Sequence, residues 1–164
     1  MKKNNNNFLD KYKFSTKYFN NPQQLKEDII EKKIIPHQVE FQPGPQGKKI
    51  CWLSCPYCYG ESAINSEERP STKRLVEILN QIADGGVKKV TFAGWATDPL
   101  NSKSIDDLLE TAIKRKLIFG FNTKPIKVSD RFIDILKNNE INPESWISLS
   151  IDSGSNEIFN KVHG

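Results

Sequence analysis

From residue 75 onward, apolar positions along the chain alternate between two periods. Leu75, Ile78, Leu79 and Ile82 fall at helical spacing, and Gly85-Gly86 closes that helix. Lys88 to Phe92 follows as a short β-branched and aromatic run, which predicts a strand. The pair then repeats. Ile105, Leu108, Leu109, Ala112 and Ile113 mark a helix and Leu117 to Phe121 a strand; Phe132, Ile133 and Leu136 mark another helix and Trp146 to Ile151 another strand. Upstream, Gln38 to Pro43 alternates polar and apolar like a half-buried strand, until Gly44-Pro45-Gln46-Gly47 breaks any regular structure. Before it, Asn21 and Pro22 open a helical pattern through Leu25, Ile29 and Ile30 that is expected to stop by Pro36.

The later strand centres, near Val90, Phe119 and Ser148, are about 29 residues apart, the length of a strand plus one crossover helix. Such a βα series predicts an α/β fold with a parallel sheet covered by helices, either open and doubly wound or curling into a barrel. Periodicity does not choose between them. In both, ligands gather at the carboxyl ends of the strands, here the loops after residues 43, 92, 122 and 151. Residues 1–37 are expected to be a polar tail, with its Asn4 to Asn7 tract, and a leading helix; residues 38–164 form the repeating core.

Composition narrows the class. The 164 residues are 37% hydrophobic, enough for a core, and the net charge of +4 comes from 24 basic and 20 acidic residues of interspersed sign. That balance does not call for a nucleic-acid partner. Met1-Lys2-Lys3 runs into asparagines rather than an apolar stretch, and no run of 18 apolar residues occurs, so the chain is expected to be cytoplasmic and off the membrane.

The chemistry concentrates in three cysteines, all within Cys51-Trp-Leu-Ser-Cys55-Pro-Tyr-Cys58-Tyr-Gly60, in the loop after the first strand. An odd count in a reducing compartment argues against a disulfide framework. Three thiolates this close are soft ligands for zinc, copper(I) or an iron–sulfur cluster. Structural zinc takes four protein ligands, and His37, His163 or a carboxylate would have to supply the fourth without a local zinc-finger spacing. A cubane cluster held by three cysteines keeps one iron without a protein ligand. Both histidines otherwise read as surface or helix-end residues, and Trp52, Trp95 and Trp146 as packing residues.

The Cys-x3-Cys-x2-Cys spacing, with an aromatic before the last cysteine, resembles the signature of the radical S-adenosylmethionine (radical SAM) enzymes. The resemblance implies a partial (β/α) barrel in which Cys51, Cys55 and Cys58 hold a [4Fe-4S] cluster whose fourth iron binds the methionine moiety of SAM, with the backbone of Tyr57 lying against the adenine. After the second strand, Phe92-Ala93-Gly94-Trp95-Ala96-Thr97-Asp98-Pro99 stands where the family has a Gly-Gly-Glu-Pro type motif that receives the SAM ammonium. It departs from the motif: only Gly94 survives, and Asp98 replaces Glu at a stretched spacing. Gly94 would admit a ligand to the backbone and Asp98 would accept from the ammonium, although Asp98 also suits a turn before Pro99.

Asn122 and Thr123 end the third strand where the family places similar polar residues, and Lys124 is read as either a ligand contact or a solvated charge. In the fourth strand Ser148, Ser150 and Asp152 share one side; the resemblance makes Ser150 and Asp152 contacts to the SAM ribose and carboxylate, and Asp152 equally suits a loop or helix cap. The implied activity is reductive cleavage of SAM to a 5′-deoxyadenosyl radical, with electrons from a reductant such as flavodoxin or ferredoxin. The substrate is left open, a peptide being one candidate. The family core has six βα units and four strands are found here, so the chain is expected to be the front part of such a core; the other reading is a non-catalytic iron–sulfur or zinc-binding fragment.

Overall fold

The computed structural model describes residues 22–44, 51, 53, 55–58, 70–94, 97–124 and 127–163. The Asn4 to Asn7 tail, the Asn21 cap, Pro45 to Gly47, Trp52, Gly60 and Trp95 lie outside the described residues. The chain divides into two compact units, Met1–His37 and Gln38–Gly164. The described part of the first is helix α1 (Pro22–Ile30), which ends before Pro36 as Lys32 turns the backbone to φ 55.

The second unit runs β1 (Gln38–Phe41), α2 (Thr72–Asp84), β2 (Lys89–Phe92), α3 (Ile105–Lys114), β3 (Ile118–Thr123), α4 (Asp130–Asn138), β4 (Trp146–Leu149) and α5 (Asn156–His163). A 3-10 turn, Pro99–Asn101, precedes α3. Local chemistry sets the helix starts: Ser71 caps α2 by accepting from Arg74 N, and Ser129 caps α4 by accepting from Phe132 N. At the far end of α2, Gly86 takes φ 92, a left-handed turn glycine tolerates.

All four strands pair in parallel in the order β1-β2-β3-β4. A doubly wound sheet reverses its strand order at a switch point; this one advances in a single direction, which is the winding of a barrel wall. Helices α2, α3 and α4 pack in sequence, α2 on α3 and α3 on α4. Their apolar stripes, Leu75 and Leu79, then Ile105, Leu108, Leu109 and Ala112, then Phe132 and Ile135, meet Phe41, Val90, Phe92, Phe119 and Phe121 of the sheet in one core. The alternate positions of these strands carry Gln38, Glu40, Lys89, Thr91 and Asn122 along with Ile118 and Gly120, so the side away from the core is mostly polar.

Strand bounds differ from the sequence pattern at their ends. β1 stops at Phe41, short of Gln42-Pro43, because proline has no N–H for the ladder. β4 stops at Leu149, so Ser150 and Asp152 are not strand residues, although Ser150 N still donates to Thr123 O at 2.9 Å. β4 is an edge, and Ile147 and Leu149 are 44% and 49% exposed.

Trp146 is a packing residue, paired in register with Gly120. A Cβ built at Gly120 would lie 2.3 Å from the indole Cε2. Gly120→Ala is therefore expected to force the ring aside and destabilise the fold by about 1–3 kcal/mol, as overpacking does; an unchanged urea midpoint would contradict this contact.

Candidate functional site

The carboxyl ends of all four strands and the cysteine loop surround one cavity of about 420 Å³. Glu40 comes from β1, Ala93 and Gly94 follow β2, Asn122 to Lys124 end β3, and Ser150 follows β4. Cys51, Cys55, Tyr57 and Cys58 close the remaining side. The three cysteines are free thiols, each half-buried. Cys58 N donates to Cys55 O at 3.0 Å, a tight turn across Pro56-Tyr57, and Asn101 Nδ2 lies 3.7 Å from Cys51 Sγ.

The donor set suits a cluster better than a single ion. Among the described residues, no three His, Cys, Asp or Glu side chains are grouped to hold one metal ion. A cubane asks for something else, thiolates on different irons, and three cysteines lining one cavity provide it.

Of the residues singled out in the sequence, Tyr57, Gly94, Asp98 and Ser150 line this cavity, and Asp152 stands beside it through Tyr57 and Lys124. Gly94 is needed for a reason the sequence did not suggest. A Cβ there would lie 1.6 Å from the Thr97 carbonyl oxygen, so the close approach it permits is that of its own following loop. Asp98 caps the 3-10 turn by accepting from Leu100 N at 2.9 Å, and also accepts from Thr123 Oγ1 at 2.7 Å and Lys124 N at 2.5 Å. Thr123 Oγ1 also lies 2.9 Å from the second carboxylate oxygen, so each Asp98 oxygen meets two donor contacts from the chain, and the roughly four acceptor sites of a carboxylate are met from within. These bonds tie the loop after β2 to the end of β3 and fix the cavity wall.

Lys124 is not a solvated charge. It pairs with Asp152 and donates to Tyr57 Oη at 2.8 Å, and Tyr57 donates to Asp152 Oδ2 at 3.1 Å. The Lys124 hydrogen bond holds the Asp152 carboxyl below its ordinary 3.8, despite the opposing effect of desolvation. On Lys124 desolvation acts downward, but the bonds to Asp152 and Tyr57 outweigh it and raise the ammonium above 10.5. The pair therefore adds stability across neutral pH. That contribution is lost as pH falls through the depressed Asp152 value, and again as pH rises through the raised Lys124 value. A carbon-detected NMR titration should find the Asp152 carboxyl midpoint below 3.8 and closer to it in Lys124→Gln; equal midpoints in both chains would show the pair to be absent.

His163 corrects its sequence reading most. Read as a surface or helix-end residue, it does end α5 but is 1% exposed, because that last turn lies against the cysteine loop. Its Nδ1 lies 2.9 Å from Cys55 Sγ, and Nε2 is 3.2 Å from Asp152 Oδ2 but off the direction of a hydrogen bond. With Cys55 and His163 lying 108 positions apart, no local motif could reveal the contact. The one available signal was the i, i+4 pair Phe159 and His163, whose rings sit 4.5 Å apart and define a buried face of α5.

Comparison with known proteins agrees with this geometry. A sequence model of the Radical SAM superfamily matches residues 48–164. The chain is 30% identical over 118 residues to an S-adenosylmethionine-dependent nucleotide dehydratase of Lacinutrix mariniflava, covering 68% of this chain and 23% of the relative. It is 31% identical over 120 residues to a protein of the same name from Flammeovirga pacifica, covering 70% and 39%. A tRNA-2-methylthio-N(6)-dimethylallyladenosine synthase of Thermotoga petrophila is 27% identical over 117 residues, covering 66% and 26%. The chain thus spans roughly a quarter to two fifths of the length of these relatives. Among solved structures, Streptococcus suis SuiB bound to S-adenosylmethionine superposes with a TM-score of 0.65 at 19% identity, over 92% of this chain and 34% of SuiB, a likeness of fold. Among the described residues no helix is long and apolar enough to cross a membrane. With its cysteine spacing, its singly wound parallel sheet and the family match over most of its length, this chain belongs to the radical SAM superfamily, enzymes whose shared cofactors are a [4Fe-4S] cluster and S-adenosylmethionine.

Proposed function

We propose that the cavity is a radical SAM active site in which Cys51, Cys55 and Cys58 hold the cluster and the strand ends hold SAM. The observation that carries this is a single one: the three thiols line the same cavity as the carboxyl ends of all four strands. When bound, the reduced cluster and SAM supply a 5′-deoxyadenosyl radical that abstracts hydrogen from a substrate. The residues of the chain bind and orient. Asp98, whose carboxylate lines the cavity, faces the SAM ammonium as its counter-charge; Ser150 offers a hydroxyl to the ribose; and Asp152, held charged by Lys124, takes a polar group at the cavity rim. Tyr57, 59% exposed, covers the open side. Excluding water and competing reactions is the remaining task of the wall.

The electron comes from a reductant such as flavodoxin or ferredoxin, in a reducing, cytoplasmic setting that keeps the thiols free. The substrate stays open: two relatives are named nucleotide dehydratases and a third a tRNA-modifying synthase, which sets a nucleotide or RNA beside the peptide as candidates. The test is anaerobic reconstitution of the chain, followed by dithionite and SAM and assay of 5′-deoxyadenosine and methionine. Formation of both in equal amounts supports reductive cleavage of SAM at this site, and a reconstituted cluster that yields neither would contradict it.

A second reading has one contact in its favour. His163 beside Cys55 puts a histidine next to a thiol, as in a mixed zinc site. Metal analysis separates the two: zinc retained in place of iron after reconstitution would favour the non-catalytic site.

A further inference from the structure

We propose that His163 is a positioning residue for the cluster, donating a hydrogen bond from Nδ1 to the Cys55 sulfur and raising the reduction potential of the iron it ligates. This rests on Cys55 being a cluster ligand. The geometry that points to it is specific to one thiol. Nδ1 stands 2.9 Å from Cys55 Sγ, whereas the amide near Cys51, Asn101 Nδ2, is 3.7 Å away. The imidazole is 1% exposed, so water does not compete for that nitrogen, and the Tyr57 hydroxyl that also approaches it stays farther off, at 3.4 Å.

The ring is also confined. Phe159 lies against it with centroids 4.5 Å apart, Tyr57 meets it edge-on at 6.1 Å, and the Asp152 carboxylate stands beside Nε2. Among the described residues Nε2 itself has no hydrogen-bond partner. A hydrogen bond to a thiolate requires a hydrogen on Nδ1, and the Phe159 and Tyr57 rings hold the imidazole with that nitrogen toward Cys55. A donor aimed at a ligating sulfur draws negative charge from it. Reduction adds charge to the cluster, so the bond stabilises the reduced form more than the oxidised one, and hydrogen bonds to cluster sulfurs are a recognised control of potential. The same bond holds the Cys55 side chain toward the cavity.

The test uses the full chain, reconstituted anaerobically with iron and sulfide, with the cluster potential followed by electron paramagnetic resonance. His163→Ala should make reduction about tenfold less favourable, a shift of about 59 mV to more negative potential for a one-electron couple. His163→Asn, whose side-chain amide can also donate, should recover most of it. His163→Leu, similar in bulk but without a donor, replaces the alanine variant if that fails to fold. An unchanged potential in a donor-free variant that keeps full iron content would overturn the proposal.

If the chain takes up no cluster, the cysteine assignment fails and the contact is read separately. In the cluster-free chain, iodoacetamide alkylation mapped by mass spectrometry should change at Cys55, relative to Cys51 and Cys58, by roughly two- to tenfold on loss of His163, the span of one hydrogen bond. His163→Asn should hold the ratio near that of the parent. Equal ratios in all the chains would overturn the hydrogen bond itself.

Discussion

Replacing Cys51, Cys55 or Cys58 singly by alanine is expected to abolish cluster uptake, taking bound iron from about four atoms per chain to near none. Each thiol lines the cavity from the same short loop, and each would serve a different iron. Losing one leaves a second iron without a protein ligand, in a site that already reserves one for SAM. The effect on the fold should be small by comparison, since none of the described residues of the loop belongs to the buried apolar cluster. Iron and sulfide analysis beside circular dichroism checks both halves. A cysteine variant that retains the full iron content would remove that residue from the ligand set.

The second large effect is on stability. Phe121 of β3 is fully buried, stacked on Phe92 at 4.9 Å and met edge-on by Phe132 at 5.3 Å and Phe119 at 5.9 Å. It thus joins two strands to α4 at the centre of the core. Phe121→Ala should cost about 3–5 kcal/mol, against a total of about 5–15 kcal/mol for an ordinary domain. Urea denaturation should show the midpoint falling steeply. The next residue, Asn122, faces the cavity, so a less ordered β3 should also weaken SAM binding; a loss below about 1 kcal/mol would place Phe121 outside the shared core.

The repeating core was legible because each strand is a compact β-branched or aromatic run between helices of clear period: Lys89–Phe92 and Ile118–Thr123 fall within two residues of where the pattern puts them. Pattern left the winding open. Strand order decided it, and order depends on pairings between residues some 50 positions apart, such as Gln38 with Lys89. The cysteines were legible because their spacing lies within one loop. Lys124 and His163 were not: Lys124 looked like any charge after a strand, and only its ion pair with Asp152, 28 residues on, gives it a place. Gly94 was picked out for a ligand's approach, while the atom that demands a glycine there is Thr97 O. In each case the deciding partner belongs to another part of the chain, which no single window of sequence contains.

The central claim is that three thiolates hold a cluster with one iron left for SAM. Electron paramagnetic resonance of the anaerobically reconstituted, dithionite-reduced chain, recorded with and without SAM, tests it most directly. The account predicts a [4Fe-4S]+ signal whose shape changes when SAM is added, because SAM ligates the open iron. A cluster signal indifferent to SAM, or bound zinc with no cluster signal, would contradict it.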